Sequence, residues 1–148
     1  MTDEDPAEVA RLSTEHMWAG DAASRMLGMR IVSVAPGTAV VSMTVRSDMV
    51  NGWGLCHGGL IASLADSAFA VACNSRGTVT VASGFDVSFL EAGRLGDELV
   101  ATARETALRD RSGIYDVTVR RSADNVAIAE FRGRSRSLGR DNPGLAKG

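Results

Sequence analysis

Residues 60–73 form the longest apolar stretch of the chain, and one carboxylate, Asp66, interrupts it. The stretch is rich in alanine and is apolar around nearly the whole helical circumference, so it predicts a helix buried in the core. An ionised carboxylate buried without partners is costly, so Asp66 must meet hydrogen-bond donors, reach water or take up a proton. Asp66 is therefore either a surface residue of this helix, beside Ser63 and Ser67, or part of a functional site.

Alternation of apolar and polar residues predicts strands on both sides of this helix. Residues 29–35 and 38–46 predict a β-hairpin with a Pro-Gly turn before the helix. Four more strands are predicted after it, at 78–91, 98–108, 114–121 and 126–138. A single apolar helix with a sheet on one side must be wrapped by that sheet. The pattern therefore predicts an α+β fold in which an antiparallel sheet surrounds one long central helix, at 57–75.

The N-terminal segment predicts two shorter helices. Asp5 can cap a helix at residues 6–19, with proline in its first turn. Asp21 can cap a second, short helix at 22–27. His16 is expected to lie at the surface rather than in a site.

The length of 148 residues suits one domain with a full core. That domain is predicted to span residues 1–138. Residues 139–148 contain turn formers without an apolar pattern, so we expect a flexible C-terminal tail.

Charge and cysteine usage exclude several classes of function. The net charge of −2 and the pI near 5.7 give no general attraction to nucleic acid or to an anionic membrane. Residues 60–73 are too few to cross a bilayer.

Cys56 and Cys73 form no CxxC pair and have no histidine at ligand spacing, so neither a disulfide scaffold nor a metal site is expected. With no signal sequence at the acidic N-terminus, we expect a cytoplasmic protein.

His57 and Asp66 are two polar groups on an otherwise apolar element, which suggests one site. They are nine residues apart, which on one helix means half a turn out of phase and about 13 Å of rise. They cannot meet within one chain. In a homodimer with two such helices side by side and antiparallel, His57 of one chain would face Asp66 of the other.

Gly58 and Gly59 stand at the predicted start of the helix. The first N–H groups of a helix have no intrahelical partners, and the helix dipole adds positive potential there. Such N–H groups favour a carbonyl oxygen or a developing oxyanion. Alternatively, the two glycines only relieve crowding at a tight turn.

Taken together, these residues match Asn-x-x-Gly-x-x-His-Gly-Gly followed by Leu-Ala-Asp-x-Ala. This pattern resembles the signature of the hotdog-fold acyl-CoA thioesterases, and most of all the phenylacetic-acid-degradation (PaaI) type. The likeness covers nearly the whole chain and includes 89–93, Gly96-Asp97 and 130–135. The matching residues are Asn51, Gly54, His57, Gly58, Gly59, Leu64, Ala65, Asp66 and Ala68.

The resemblance implies hydrolysis of an acyl-CoA, with an aryl-acyl group such as phenylacetyl, at sites shared by two subunits. The Gly58 N–H, with Gly59 beside it, would bind the thioester carbonyl. Asp66 of the partner would act as general base or as nucleophile. Asn51 would orient the carbonyl or the water, and His57 would position the loop. No metal or cofactor is implied, and the homodimer is expected to assemble into a homotetramer.

Some relatives carry a Ser or Thr on the strand after the helix, and here the equivalent position falls at Gly84. Ser83 lies beside it and could serve only if Gly84 marks a bulge, since neighbouring strand residues point to opposite faces. Arg132, Arg134 and Arg136 share one face of the last strand, either as contacts for CoA phosphates or as a solvated face.

Three alternatives remain open. Cys56 beside His57 suggests a Cys/His nucleophile, although adjacent residues seldom align for attack and no third orienting group is evident. A non-catalytic acyl-CoA-binding module on the same fold would not need Asp66. A hotdog enoyl-CoA hydratase would need its Asp and His at a different spacing.

Overall fold

The computed structural model describes residues 4–146 as one sheet, one long helix and two shorter helices. The helices are α1 (Pro6–Ala19), α2 (Ala22–Met26) and α3 (Gly58–Asn74). The strands are β1 (Arg30–Ala35), β2 (Thr38–Thr44), β3 (Thr78–Phe89), β4 (Glu98–Arg109), β5 (Ser112–Arg121) and β6 (Ala127–Asp141). Short 3-10 helices occupy Ser47–Met49 and Pro143–Leu145. No helix in residues 4–146 is long and apolar enough to cross a membrane.

The six strands form one antiparallel sheet in the order β1-β2-β4-β5-β6-β3. The sheet wraps around α3, which packs against all of its strands. This is the hotdog architecture that the sequence predicts. The order leaves β1 and β3 at the edges, and β3 offers a free edge of 12 residues.

Phe69 at the centre of α3 fixes how closely the helix approaches the sheet. Its ring lies 5.6 Å from that of Tyr115 on β5 and 5.8 Å from that of Phe131 on β6, measured between centroids. A β-carbon at Gly133 would lie 2.9 Å from atoms of the Phe69 ring, so only glycine allows β6 to pass this close.

The N-terminal helices begin as predicted. Asp5 caps α1, since its Oδ1 accepts a hydrogen bond from the N–H of Ala7 at 3.1 Å. Asp21 caps α2 in the same way through the N–H of Ser24, at 2.9 Å. His16 is exposed on α1.

The prediction that the sheet ends at Leu138 and is followed by a flexible tail is wrong for residues 139–146. The strand β6 continues to Asp141, which pairs with Thr78. Asn142 is buried, and its Nδ2 donates to the carbonyl of Ser13 on α1 at 3.1 Å. Polar contacts with α1 and β3, rather than an apolar pattern, hold this segment. Residues 147 and 148 of the predicted tail lie outside the described residues.

Candidate functional site

The N-terminus of α3 presents one uncommitted N–H group. His57 is the N-cap, and its Nδ1 accepts a hydrogen bond from the N–H of Gly59 at 3.4 Å. Within residues 4–146, the N–H of Gly58 has no hydrogen-bond partner. A β-carbon at Gly58 would lie 3.0 Å from Cζ of Phe89, so the ring at the end of β3 packs against Gly58. The arrangement suits a carbonyl oxygen that accepts from Gly58.

Asn51 holds the loop before α3. Its Oδ1 accepts from the N–H groups of Trp53 at 2.9 Å and Leu55 at 3.1 Å, and its backbone N–H donates to the carbonyl of Leu55 at 2.7 Å. Gly54 completes this turn with a φ of +73°, a conformation that favours glycine. The side-chain oxygen of Asn51 is therefore occupied by the loop, and only its Nδ2 group is free to donate to a ligand.

Asp66 lies on the side of α3 that faces α2 rather than the sheet. It is partly buried in a depression of about 210 Å³. Within the described part of the chain its carboxylate has no hydrogen-bond or ion-pair partner. Burial raises the pKa of Asp66, and the negative charge of Asp21 raises it further. A carboxylate with a raised pKa and no partner is suited to accept a proton.

Two serines, Ser24 of α2 and Ser67 of α3, link these two helices beside Asp66. The Ser24 hydroxyl donates to Oδ2 of Asp21 at 2.7 Å, and its Oγ is also 2.7 Å from Oγ of Ser67, the residue after Asp66. Ser24 is buried. The chain Asp21–Ser24–Ser67 therefore fixes α2 against α3 beside Asp66.

One chain does not bring His57 and Asp66 together. His57 lines a separate depression of about 310 Å³, with Asp48, Met49 and Leu60 among its walls. Asp66 lines the depression beside α2. The nine residues between them span about 13 Å of helix, as the sequence indicates. His57 and Asp66 therefore line two separate depressions at different places on α3 of one chain.

Comparison with known proteins identifies the family of this fold and site. The thioesterase superfamily model matches residues 54–128, about half of the chain. The chain is 44% identical over 123 residues to acyl-coenzyme A thioesterase PaaI of Escherichia coli, covering 83% of this chain and 87% of that protein. This chain belongs to the thioesterase superfamily. The predicted family and enzyme class, a thioester hydrolase, are confirmed.

Two solved structures show the same fold. The PaaI protein from the Escherichia coli phenylacetic acid degradation operon has a TM-score of 0.90 and 40% sequence identity, covering 93% of this chain and 99% of that one. A Streptococcus mutans protein bound to acetyl CoA has a TM-score of 0.73 and 26% identity, covering 76% of this chain and 90% of that one.

In this thioesterase-superfamily chain, Ser83 and Gly84 lie on the outer face of the sheet, away from α3. The β3–β6 register shifts between Ala82 and Gly84, which confirms a bulge at this point. Ser83 nevertheless bonds outward, since its Oγ donates to the carbonyl of Arg134 at 3.1 Å. A β-carbon at Gly84 would lie 2.8 Å from Nη2 of Arg134. A role of Ser83 or Gly84 in substrate binding stays a prediction.

The three arginines of β6 also project from the outer face. Arg132 forms an ion pair with Asp116 at 2.8 Å, and Arg134 forms one with Asp86 at 2.8 Å. Arg136 has no ion pair within residues 4–146. Exposed pairs stabilise little, so Arg134 and Arg136 can still bind phosphate groups. Their contact with CoA stays a prediction.

The two cysteines do not form a nucleophilic pair with His57. The Sγ of Cys56 is 3.8 Å from the carbonyl oxygen of His57 and donates there rather than to the imidazole. Burial, with the charge of Asp97, raises the pKa of Cys56, which keeps the thiol protonated. Burial raises the pKa of Cys73 to about 12. Among the described residues, no three His, Cys, Asp or Glu side chains lie close enough together to hold a metal ion.

Phe89 lies beside Gly58 and Asp21 lies beside Asp66, and the sequence singles out neither as a candidate site residue. Phe89 is one of several residues in the family-like segment 89–93, and its packing on Gly58 depends on the fold. The sequence predicts Asp21 only as a helix cap. No sequence signal connects it to Asp66, 45 positions later in the chain, because only the docking of α2 brings them together.

Proposed function

We propose that this protein hydrolyses acyl-CoA thioesters with an aryl-acyl group, such as phenylacetyl- or hydroxyphenylacetyl-CoA, to the free acid and CoA. The observation that carries the proposal is the presence on α3 of two groups that have no hydrogen-bond partner within residues 4–146: the N–H of Gly58 at its start and the carboxylate of Asp66 in its middle. One can bind a carbonyl oxygen and the other can accept a proton from water.

The reaction then follows from the chemistry of the thioester. The Gly58 N–H and the positive end of α3 polarise the carbonyl and stabilise the oxyanion that forms on it. Asp66 of the other subunit takes a proton from water as the water oxygen attacks the carbonyl carbon. The C–S bond breaks, the CoA thiolate leaves, and the proton held by Asp66 is returned to it. Alternatively, a carboxylate oxygen of Asp66 attacks the carbonyl carbon and displaces the CoA thiolate, which forms a mixed anhydride that water then hydrolyses to the free acid and the Asp66 carboxylate.

The free edge of β3 supports a site built from two copies. Within the described part of the single chain, β3 has no strand on its outer side. Its apolar side chains Val81, Phe85 and Phe89 are exposed. Antiparallel pairing of two β3 strands about a two-fold axis would continue the sheet and cover these residues. It would also set two α3 helices side by side and antiparallel, with Gly58 of one chain facing Asp66 of the other. The step from dimer to tetramer stays a prediction.

The aryl-acyl group is proposed from the relative that belongs to the phenylacetic acid degradation operon. The proposed reaction uses groups of the chain and water alone, because a thioester is an activated acyl group with a good leaving group. The cytoplasmic location stays a prediction.

A thiol-trapping assay tests this function. Wild-type protein is offered acetyl-, hexanoyl-, phenylacetyl- and hydroxyphenylacetyl-CoA, and free thiol is measured over time. We expect catalytic thiol release that is lost in Asp66→Ala and Asp66→Asn and kept in the control Asp124→Asn, an exposed turn residue paired with Arg121. Stoichiometric binding without thiol release would instead support a binding module, and full activity of Asp66→Ala would remove Asp66 from the mechanism.

A further inference from the structure

The depression beside Asp66 is lined by both polar and apolar side chains. The polar ones, besides Asp66, are Asp21, Ser24, Ser63 and Ser67. The apolar ones are Ala23, Leu27, Met29 and Ala70. Ala23 and Leu27 are four residues apart, about one helical turn, so they share one face and form an apolar wall of the depression. Apolar lining with a few polar groups is typical of small-molecule sites.

The apolar wall has a fixed position. Ser24 is hydrogen-bonded to Ser67 of α3 through a 2.7 Å contact between their Oγ atoms. The N–H of Met29, the residue before β1, donates to the carbonyl of Ser24 on α2 at 3.0 Å. Side chains on a rigid element can discriminate ligands by size, since they do not move aside when a larger group enters.

Chemistry places the acyl group near this wall. A water held by Asp66 must reach the thioester carbonyl carbon, so the acyl atoms next to that carbon must lie within a few ångströms of Asp66. Asp21, Ser24 and Ser67 offer carboxylate and hydroxyl oxygens that already bond to one another, and an apolar acyl group avoids such oxygens. Ala23 and Leu27 offer apolar surface in the same depression, which an acyl group can contact.

We infer that α2 and its C-cap residue Leu27 form the wall of the acyl pocket of the same chain's Asp66, and that Ala23 and Leu27 determine which acyl groups are accepted. The inference rests on the proposed function, because it assigns the substrate-selecting surface of that same site. The polar chain Asp21–Ser24–Ser67 holds the wall in place, and the size of the residues at 23 and 27 sets the space beside Asp66.

A pair of matched substitutions tests this inference. Ala23→Leu adds bulk inside the depression, and Ala22→Leu adds the same bulk on the neighbouring α2 residue, which does not line it. Both alanines are exposed, so neither leucine is forced into the core. We expect Ala23→Leu to lower the ratio of kcat/KM for phenylacetyl-CoA to that for acetyl-CoA by about tenfold, the usual effect of a small change in an apolar pocket. Ala22→Leu should leave the ratio unchanged.

Leu27→Ala gives the opposite test. It should raise kcat/KM for acyl groups bulkier than phenylacetyl relative to phenylacetyl itself. Equal loss on all substrates in Ala23→Leu would overturn the inference, because it would place the common CoA part there. An unchanged ratio in both Ala23→Leu and Leu27→Ala would overturn it as well.

The same panel separates failure of this inference from failure of the proposed function. If wild-type protein releases no thiol from any acyl-CoA, the proposed function fails. If wild-type protein is active and Asp66→Ala is not, but the ratios of kcat/KM between substrates are the same in wild type, Ala23→Leu and Leu27→Ala, only the inference fails. Circular dichroism and thermal melting of each variant show that it is folded.

Discussion

The ring of Phe89 lies against Gly58, where a β-carbon would be only 3.0 Å from Cζ of Phe89. The last residue of the free edge strand β3 thus packs on the first residue of the central helix. Phe89 is 51% exposed, so its ring can move when a ligand or a side chain requires space. The contact places the N–H of Gly58 at the same end of the molecule as the β3 edge on which the proposed dimer depends.

Gly58→Pro tests the N–H of Gly58 directly. Proline is favoured at the first position of a helix, and the backbone of His57, with φ −60° and ψ 130°, is suited to the residue before proline. The substitution removes an N–H that has no partner within residues 4–146, so the fold should be kept. We expect kcat to fall by about 10²- to 10³-fold, the usual effect of deleting an oxyanion donor. Steady-state kinetics with phenylacetyl-CoA measures this loss.

Two alanine variants are the controls for that experiment. Gly58→Ala keeps the N–H but adds the β-carbon against Phe89, so its loss of kcat should be much smaller. At Gly59 the nearest atom to an added β-carbon is Nδ1 of His57 at 3.6 Å, an ordinary contact, so Gly59→Ala should remain active. Equal losses in Gly58→Ala and Gly58→Pro would mean that crowding, rather than the missing N–H, lowers the rate.

Asp21→Asn should move the acid limb of the pH–rate profile to lower pH. The charge of Asp21, after burial, raises the pKa of Asp66, and the amide removes that charge. Asp66 is active as a base only when ionised, so a lower pKa extends activity to lower pH. Ser24→Ala removes hydrogen bonds without removing charge and should leave the limb in place. A limb that does not move in Asp21→Asn would contradict the charge effect.

Asp66→Asn should increase thermal stability while it abolishes activity. The pKa of Asp66 is raised in the folded chain, so the folded state favours the protonated form and loses stability as pH rises through that pKa. An amide carries no charge at any pH. We therefore expect a higher Tm than wild type at pH 7 and a smaller difference at about pH 3, below the ordinary aspartate pKa. A lower Tm at pH 7 would show that the ionised carboxylate has stabilising partners.

Residues 57–75 and most strands could be predicted from the sequence because their apolar periodicity is local and strong. The end of β6 could not be predicted, because polar contacts with distant segments determine it. Asp141 pairs with Thr78, and Asn142 donates a hydrogen bond to the carbonyl of Ser13. Periodicity records which residues face a core, and it has no information on partners of that kind.

The candidate site shows the same limit. The spacing of His57 and Asp66 along one helix is fixed by helical geometry, so their separation within a chain follows from the sequence alone. The side of the sheet to which Ser83 points does not follow from the sequence, because the bulge before Gly84 changes which side chains point outward. The approach of Asp21 to Asp66 depends on how α2 docks, which no local pattern encodes.

Complementation between two inactive variants tests the two-chain site. Asp66→Ala and Gly58→Pro are co-expressed with different affinity tags, and dimers that carry both tags are purified. A mixed dimer has one site with both substitutions and one site with neither, if each site combines Gly58 of one chain with Asp66 of the other. We predict that doubly tagged dimers regain about half of the wild-type activity, since one of two symmetric sites is intact. Doubly tagged dimers as inactive as the two parents would contradict a site shared between chains.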